Sequence, residues 1–171
     1  MDALYFRVSS ERQTTQNQFE DLLQVAEKDA SGRDWSQIRE ALSRCVIEEP
    51  RPGTNGATRA VYRVDAQLAA HLAQQCVYVE QGRSGKIGAR QRPLFEEMKR
   101  DGAARKFDRL LVWKVSRLGR DMREVIAAVY ELADLGIAVI PVKSQTGPIS
   151  STMGKLLWAI QACAWPSPPS G

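Results

Sequence analysis

Four short apolar runs constrain this chain more than any other feature: Ala3–Val8, Cys76–Glu80, Leu110–Val115 and Ile137–Val142. Each has the length and composition of a buried strand. Helical patterns separate them. Glu11–Asp29 sets Phe19, Leu22, Leu23 and Ala26 on one face, and Arg92–Arg105 forms a second pattern. Asp121–Leu135 is the clearest, with Met122, Val125, Ile126, Val129 and Leu132 in a stripe and Gly136 in the helix-stop position. Strand–helix–strand repetition of this kind predicts an α/β fold: a mostly parallel β-sheet flanked by helices, joined by right-handed crossovers.

Residues 31–75 do not fit the simple alternation. Trp35–Ser43 reads as a short helix, and Cys45–Glu48 can pair with Ala60–Val64 as a hairpin around the Pro50–Gly56 turn cluster. Asp65 then caps a helix from Ala66 to Gln75. The segment is expected to form a small αββα insertion, since a structureless loop of that length is improbable inside a compact domain. After the fourth strand comes a Gly147-Pro148 loop. Ser151 or Thr152 then caps a last helix with Met153, Leu156, Leu157, Ile160 and Ala164 on its apolar face. It is expected to stop at Pro166, leaving residues 166–171 as a disordered tail after a single domain over 1–165.

No apolar run is long enough to span a membrane, and no basic region followed by an apolar stretch opens the chain. Cys45, Cys76 and Cys163 are scattered and odd in number, which reads as a reducing cytoplasmic setting without a zinc site. The single histidine, His71, excludes a two-histidine metal site and reads as a helix-surface residue. The formal charge of +4 hides an asymmetry: residues 83–123 carry thirteen Lys/Arg against five Asp/Glu, and nine of the thirteen are arginine. A guanidinium fork matches two phosphate oxygens, so this segment points to a polyanionic partner, nucleic acid before membrane. A solvated, salt-bridged surface would give the same composition.

In an open parallel sheet, ligands bind beyond the carboxyl ends of the strands. The first end offers Arg7-Val8-Ser9-Ser10, and the second Glu80 with a Gly82–Lys86 turn. The third offers Lys114-Val115-Ser116-Arg117-Leu118-Gly119-Arg120, and the fourth Lys143-Ser144. A serine hydroxyl beside several guanidinium groups is an anion site with a nucleophile in it. Arg117 and Arg120, three apart at the start of a helix, would aim at one point. A serine can attack phosphorus where fixed cations stabilise the developing charge, and no aspartate pair marks a magnesium site. Taken singly, Ser9 reads as a helix cap and the arginines as surface pairs. The motifs for nucleotide phosphates fail: Gly82–Lys86 and Gly154-Lys155 lack P-loop spacing, and no G-x-G-x-x-G occurs. Trp113, Trp158 and Tyr5 read as core or interface residues.

In these residues the chain resembles the catalytic domain of the serine recombinases, the resolvase/invertase family. Tyr5-Phe-Arg-Val-Ser9 matches its opening Y-x-R-V-S, with Gln13 and Gln18 at two expected glutamines. Glu80-Gln-Gly-Arg-Ser-Gly85 resembles D-x-G-x-S-G with glutamate for aspartate, and Arg92-Pro-Leu94 looks like the R-P-x-L that follows. Phe107–Arg120 resembles the family's core block, and Ser151–Lys155 the start of its long helix. Ser116 stands where some relatives carry an aspartate. The resemblance implies that Ser9 attacks a DNA phosphodiester to give a 5′-phosphoserine link and a free 3′-hydroxyl. It implies that Arg7, Arg92, Arg117 and Arg120 bind the scissile phosphate, supported by Gln13, Gln18 and Glu80. No cofactor or metal is implied. The partners implied are double-stranded DNA and further copies of the chain, as dimers that pair into a tetramer.

In the family the last helix runs on for several turns and a DNA-binding region follows. Here Pro166 is expected to end it, so the C-terminal DNA-binding domain is expected to be absent and the dimer seam short. Two functional readings follow from the same motifs: a site-specific DNA recombinase, bacterial and nucleoid- or plasmid-associated, or a catalytically inactive remnant that binds DNA or a full-length recombinase as a regulator. A phosphate-binding enzyme acting on nucleotides is a third, from the sheet alone.

Overall fold

The computed structural model describes residues 1–8, 12–28, 33–50, 58–81, 92–119 and 121–143, with the backbone alone at 12–15, 46–50 and 58–62. All four apolar runs are strands of one parallel sheet: β1 (Asp2–Val8), β4 (Val77–Gln81), β5 (Arg109–Val112) and β6 (Ala138–Pro141). The order across it is β4-β1-β5-β6. Between β1 and β4 come α1 (Arg12–Ala26), α2 (Trp35–Ser43), the antiparallel hairpin β2 (Val46–Pro50) and β3 (Thr58–Tyr62), and α3 (Ala66–Gln74). Helix α4 (Pro93–Ala103) leads to β5, and α5 (Met122–Asp134) to β6. Gly136 ends the run after α5 with φ +78°, a conformation that suits glycine best.

Strand β1 is central, and its alternation sorts the two layers. Leu4, Phe6 and Val8 pack with Phe19, Leu22, Leu23 and Ala26 of α1 and with Ile38, Ala41 and Leu42 of α2. Ala3 and Tyr5 face Phe95 and Met98 of α4 and Val125, Val129 and Leu132 of α5. A central parallel strand has no wet face, which explains why residues 3–6 are all apolar or aromatic and fully buried. The chain steps from β1 to β4 on one side, then crosses back to β5 and β6 on the other. With right-handed crossovers, that reversal puts α1 and α2 on one face and α4 and α5 on the opposite one. In sheets of this kind ligands bind beyond the carboxyl ends where the strand order turns, which here are those of β1 and β5.

Over residues 33–75 the described elements run α2, β2, β3 and α3, with Asp34 accepting from the Ser36 and Gln37 amides and Asp65 from that of Leu68. The two helices belong to the core: Ile38, Leu42, Cys45 and Leu72 share the cluster of Phe6 and Leu22. Buried Asp2 receives two hydrogen bonds from Arg109, at 2.5 and 2.6 Å, closing the amino ends of β1 and β5. Among the described residues no helix is long and apolar enough to cross a membrane.

The third strand ends earlier than its apolar run predicts. β5 stops at Val112, and Val115–Arg117 forms a 3-10 turn. The cause is burial: Val115 and Leu118 both insert into the α5-side core, which extended backbone would prevent by pointing them to opposite faces. Arg117 therefore closes a turn, five residues before α5 begins at Met122, and the shared-helix-face argument for Arg117 and Arg120 does not hold.

Candidate active site

Arg7 and Glu80 are paired across the carboxyl ends of β1 and β4, on the α4 side of the sheet. Glu80 is 7% exposed and does what a capping side chain does from a distance. Its Oε2 accepts the Leu94 amide at 3.1 Å and the Phe95 amide at 3.2 Å. These are first-turn donors of α4, whose own flanking residue, Arg92, provides no side-chain cap. Burial raises the Glu80 pKa; the Phe95 amide, Arg92, the Leu94 amide and Arg7 oppose that rise without cancelling it.

This anchoring fixes Arg92, immediately ahead of Pro93 and α4. Its Nη2 donates to the Tyr5 hydroxyl at 2.8 Å and to the Arg117 carbonyl at 3.3 Å, and its Nη1 donates to the Leu118 carbonyl. The guanidinium stacks over Phe95, 4.1 Å from the ring centroid. Tyr5 was expected to be a core residue and is fully buried, yet its hydroxyl is also part of this network. Burial pushes its pKa up to about 12, with Arg92 pulling the other way, so it is a neutral phenol at physiological pH.

Arg7 reaches the same turn from β1, donating to the Gly119 carbonyl at 3.0 Å. Three consecutive carbonyls, of Arg117, Leu118 and Gly119, thus accept from two guanidinium groups. Gly119 is tightly confined: a Cβ there would lie 2.6 Å from the Val125 backbone nitrogen and 2.8 Å from the Glu124 Cβ. Only glycine lets the turn lie against the first turn of α5, which Asp121 caps through the Glu124 amide.

The Arg117 guanidinium lies 5.3 Å from the Trp113 ring centroid, and the Lys114 ammonium 4.7 Å from it. The Trp113 indole N–H donates to Asp21 of α1 at 2.8 Å, and Lys143, just beyond β6, pairs with the same carboxylate at 3.1 Å. One tryptophan therefore ties β5, α1 and two cations together at this end of the sheet.

Of the residues singled out from sequence, Arg7, Glu80 and Arg92 come together here, while Arg117 lends its backbone carbonyl to Arg92 and its guanidinium lies beside Trp113. Gln18 is fully buried in α1. The Gln13 backbone lies in α1. Ser9, Arg120, the Gly82–Lys86 turn, Trp158, the helix expected from Ser151 and the tail lie outside the described residues. His71 is exposed on α3 beside Gln75, as expected. Sequence reasoning gave no site role to Tyr5, Trp113 or Asp21. Tyr5 stands in the opening motif two residues before Arg7, which was a signal; for Asp21 there was none. Among the described residues, no three His, Cys, Asp or Glu side chains gather as metal ligands.

An open parallel sheet whose order reverses between β1 and β5, with helices on both faces, defines a doubly wound α/β protein. The profile of one family, described as "Resolvase, N terminal domain", matches residues 51–164, and the chain belongs to that family. It is a serine-type site-specific recombinase domain. The matched span takes in Glu80, Arg92, Arg117 and Arg120 and begins after β1. Among solved structures, the N-terminal catalytic domain of TP901-1 integrase is similar at 19% identity and a TM-score of 0.48, over 95% of this chain and 92% of that one. A resolvase family site-specific recombinase from Streptococcus pneumoniae is similar at 18% identity and a TM-score of 0.41, over 95% and 86%. No curated protein matches the chain.

Proposed function

We propose that this chain cuts and rejoins double-stranded DNA through Ser9. The Ser9 oxygen attacks a backbone phosphorus as its proton leaves, forming a Ser9–phosphate bond. The bond from phosphorus to the 3′-oxygen breaks, and that oxygen takes up a proton. The products are a 5′-phosphoserine and a free 3′-hydroxyl. One phosphodiester replaces another, so the reverse attack by a 3′-hydroxyl from an exchanged strand rejoins DNA without an external energy source. Arg7, Arg117 and Arg120 stabilise the charge that builds on the phosphoryl oxygens, with Arg92 as the fourth cation of the cluster. Gln13, Gln18 and Glu80 support the site, and the working unit is a tetramer built from two dimers on paired DNA sites.

The observation that carries this reading is that Arg7 and Arg92 both donate to the turn that carries Arg117, at the carboxyl ends of β1 and β5, with Ser9 next but one to Arg7 in the sequence. Fixed cations do for a phosphorane-like transition state what water cannot do without reorganising. The test is covalent trapping on supercoiled DNA carrying the gene's own flanking sequence. A protein–DNA adduct is expected from the wild type and none from Ser9→Ala, with the variant's melting curve nearly unchanged. An adduct that survives Ser9→Ala overturns the assignment.

A further inference from the structure

Arg92 is half-buried and makes three side-chain hydrogen bonds to protein. A guanidinium holds a phosphate along one edge, using two neighbouring N–H donors. At Arg92 the Nη1–Nη2 edge is turned to protein: Nη1 donates to Leu118, and Nη2 to Tyr5 and Arg117. Nε is buried and has no hydrogen-bond partner. One face of the fork is covered by Phe95 at 4.1 Å, and the Tyr5 ring centroid lies 5.7 Å away. The backbone beneath it is pinned by Pro93 and by the two amide bonds to Glu80. The three hydrogen bonds to protein and the pinned backbone suit a group that grips polypeptide.

We propose that Arg92 is a positioning residue: it fastens the Val115–Gly119 turn to β1 and α4, and so holds Arg117 where the scissile phosphate needs it, without itself being a phosphate ligand. The inference rests on the recombinase reading for the identity of the phosphate, and on the hydrogen-bond geometry alone for the grip. An arginine is required because three acceptors spread over a turn and a phenol match a planar fork and not a single ammonium.

The test uses the full chain, with Arg92→Gln and Arg92→Lys, in three measurements. The first is amide exchange at Arg117 and Leu118, whose N–H groups donate to Lys114 and Val115 at 2.9 Å each. The second is the salt dependence of binding to a random 30-base-pair duplex. The third is the single-turnover rate of adduct formation on supercoiled DNA. Loss of the grip should raise exchange at both amides by about tenfold or more, the scale of one charge-assisted hydrogen bond. The salt slope should match the wild type, whereas a lost phosphate contact lowers it by about one. The adduct rate should fall about tenfold or more, and Arg92→Lys, which keeps the charge, should not rescue it. Should Arg92→Gln fail to fold by circular dichroism, Arg92→Lys still reads the exchange and the adduct rate, and unchanged exchange in it overturns the proposal. Unchanged exchange, a shallower salt slope, or an adduct rate equal to the wild type each overturns the proposal. If the wild type forms no adduct, the recombinase reading fails, and exchange and salt slope still decide what Arg92 grips.

Discussion

Glu80 offers a direct energetic test of how the site is built, because one oxygen carries both hydrogen bonds to α4. Glu80→Ala leaves the Leu94 and Phe95 amides without that acceptor, one half-buried and one buried. At about 1–3 kcal/mol for each buried donor left unsatisfied, the loss is about 2–4 kcal/mol. In a chain of this size that lowers Tm by roughly 5–15 °C. Glu80→Gln keeps a carbonyl oxygen where Oε2 sits and removes the charge. Burial raises the Glu80 pKa, so the folded state holds its proton to higher pH than the unfolded chain does. The stability tied to that proton is present below the unfolded pKa and is lost as pH rises through the folded one. Thermal melts followed by circular dichroism from pH 4 to pH 8 should therefore show Glu80→Gln gaining on the wild type as pH rises. Glu80→Ala should lie below both throughout. A glutamine variant as unstable as the alanine one, or a gap independent of pH, would refute the reasoning, since the charge and not the acceptor oxygen would then be holding α4.

Three further outcomes follow from neighbouring contacts. Gly119→Ala sets a methyl group against the Val125 backbone nitrogen, so the turn must shift and Arg7 must lose its acceptor; a cost of about 1–3 kcal/mol in chemical denaturation, with little change in m, is expected. Arg109→Ala strips a buried carboxylate of two hydrogen bonds at the far end of β1, and should cost about 2–4 kcal/mol by the same measurement while leaving duplex DNA binding intact. Arg120→Ala should cut the adduct-forming rate by about a hundredfold or more with only a modest change in the salt dependence of binding. Equal losses in both would make Arg120 a DNA contact only.

The strands were legible in the sequence because parallel strands covered on both faces must be written as short apolar runs, and the cap Asp65 because local hydrogen bonding needs that residue type ahead of a helix. The site was legible as far as it lies at strand ends. The end of β5 was not, since Val115 and Leu118 read as more of the same strand or as the next helix until α5 is present to receive them both. Nor was the hydrogen bond between Arg92 and Tyr5, which meet across 87 positions of chain. Tyr5 obeys the alternation of a core residue, and only the fold shows that its hydroxyl has a partner. Glu80 illustrates the same point: its carboxylate lies at a strand end, as a ligand-binding residue would, but it serves a helix fourteen residues downstream.

The most direct test of the account is mass spectrometry on a trapped complex after nuclease and protease digestion. The expected result is a nucleotide joined through its 5′-phosphate to the peptide containing Ser9, with the complementary DNA end bearing a free 3′-hydroxyl. A nucleotide on any other residue, a 3′-phosphate linkage, or cleavage with no covalent species would contradict it.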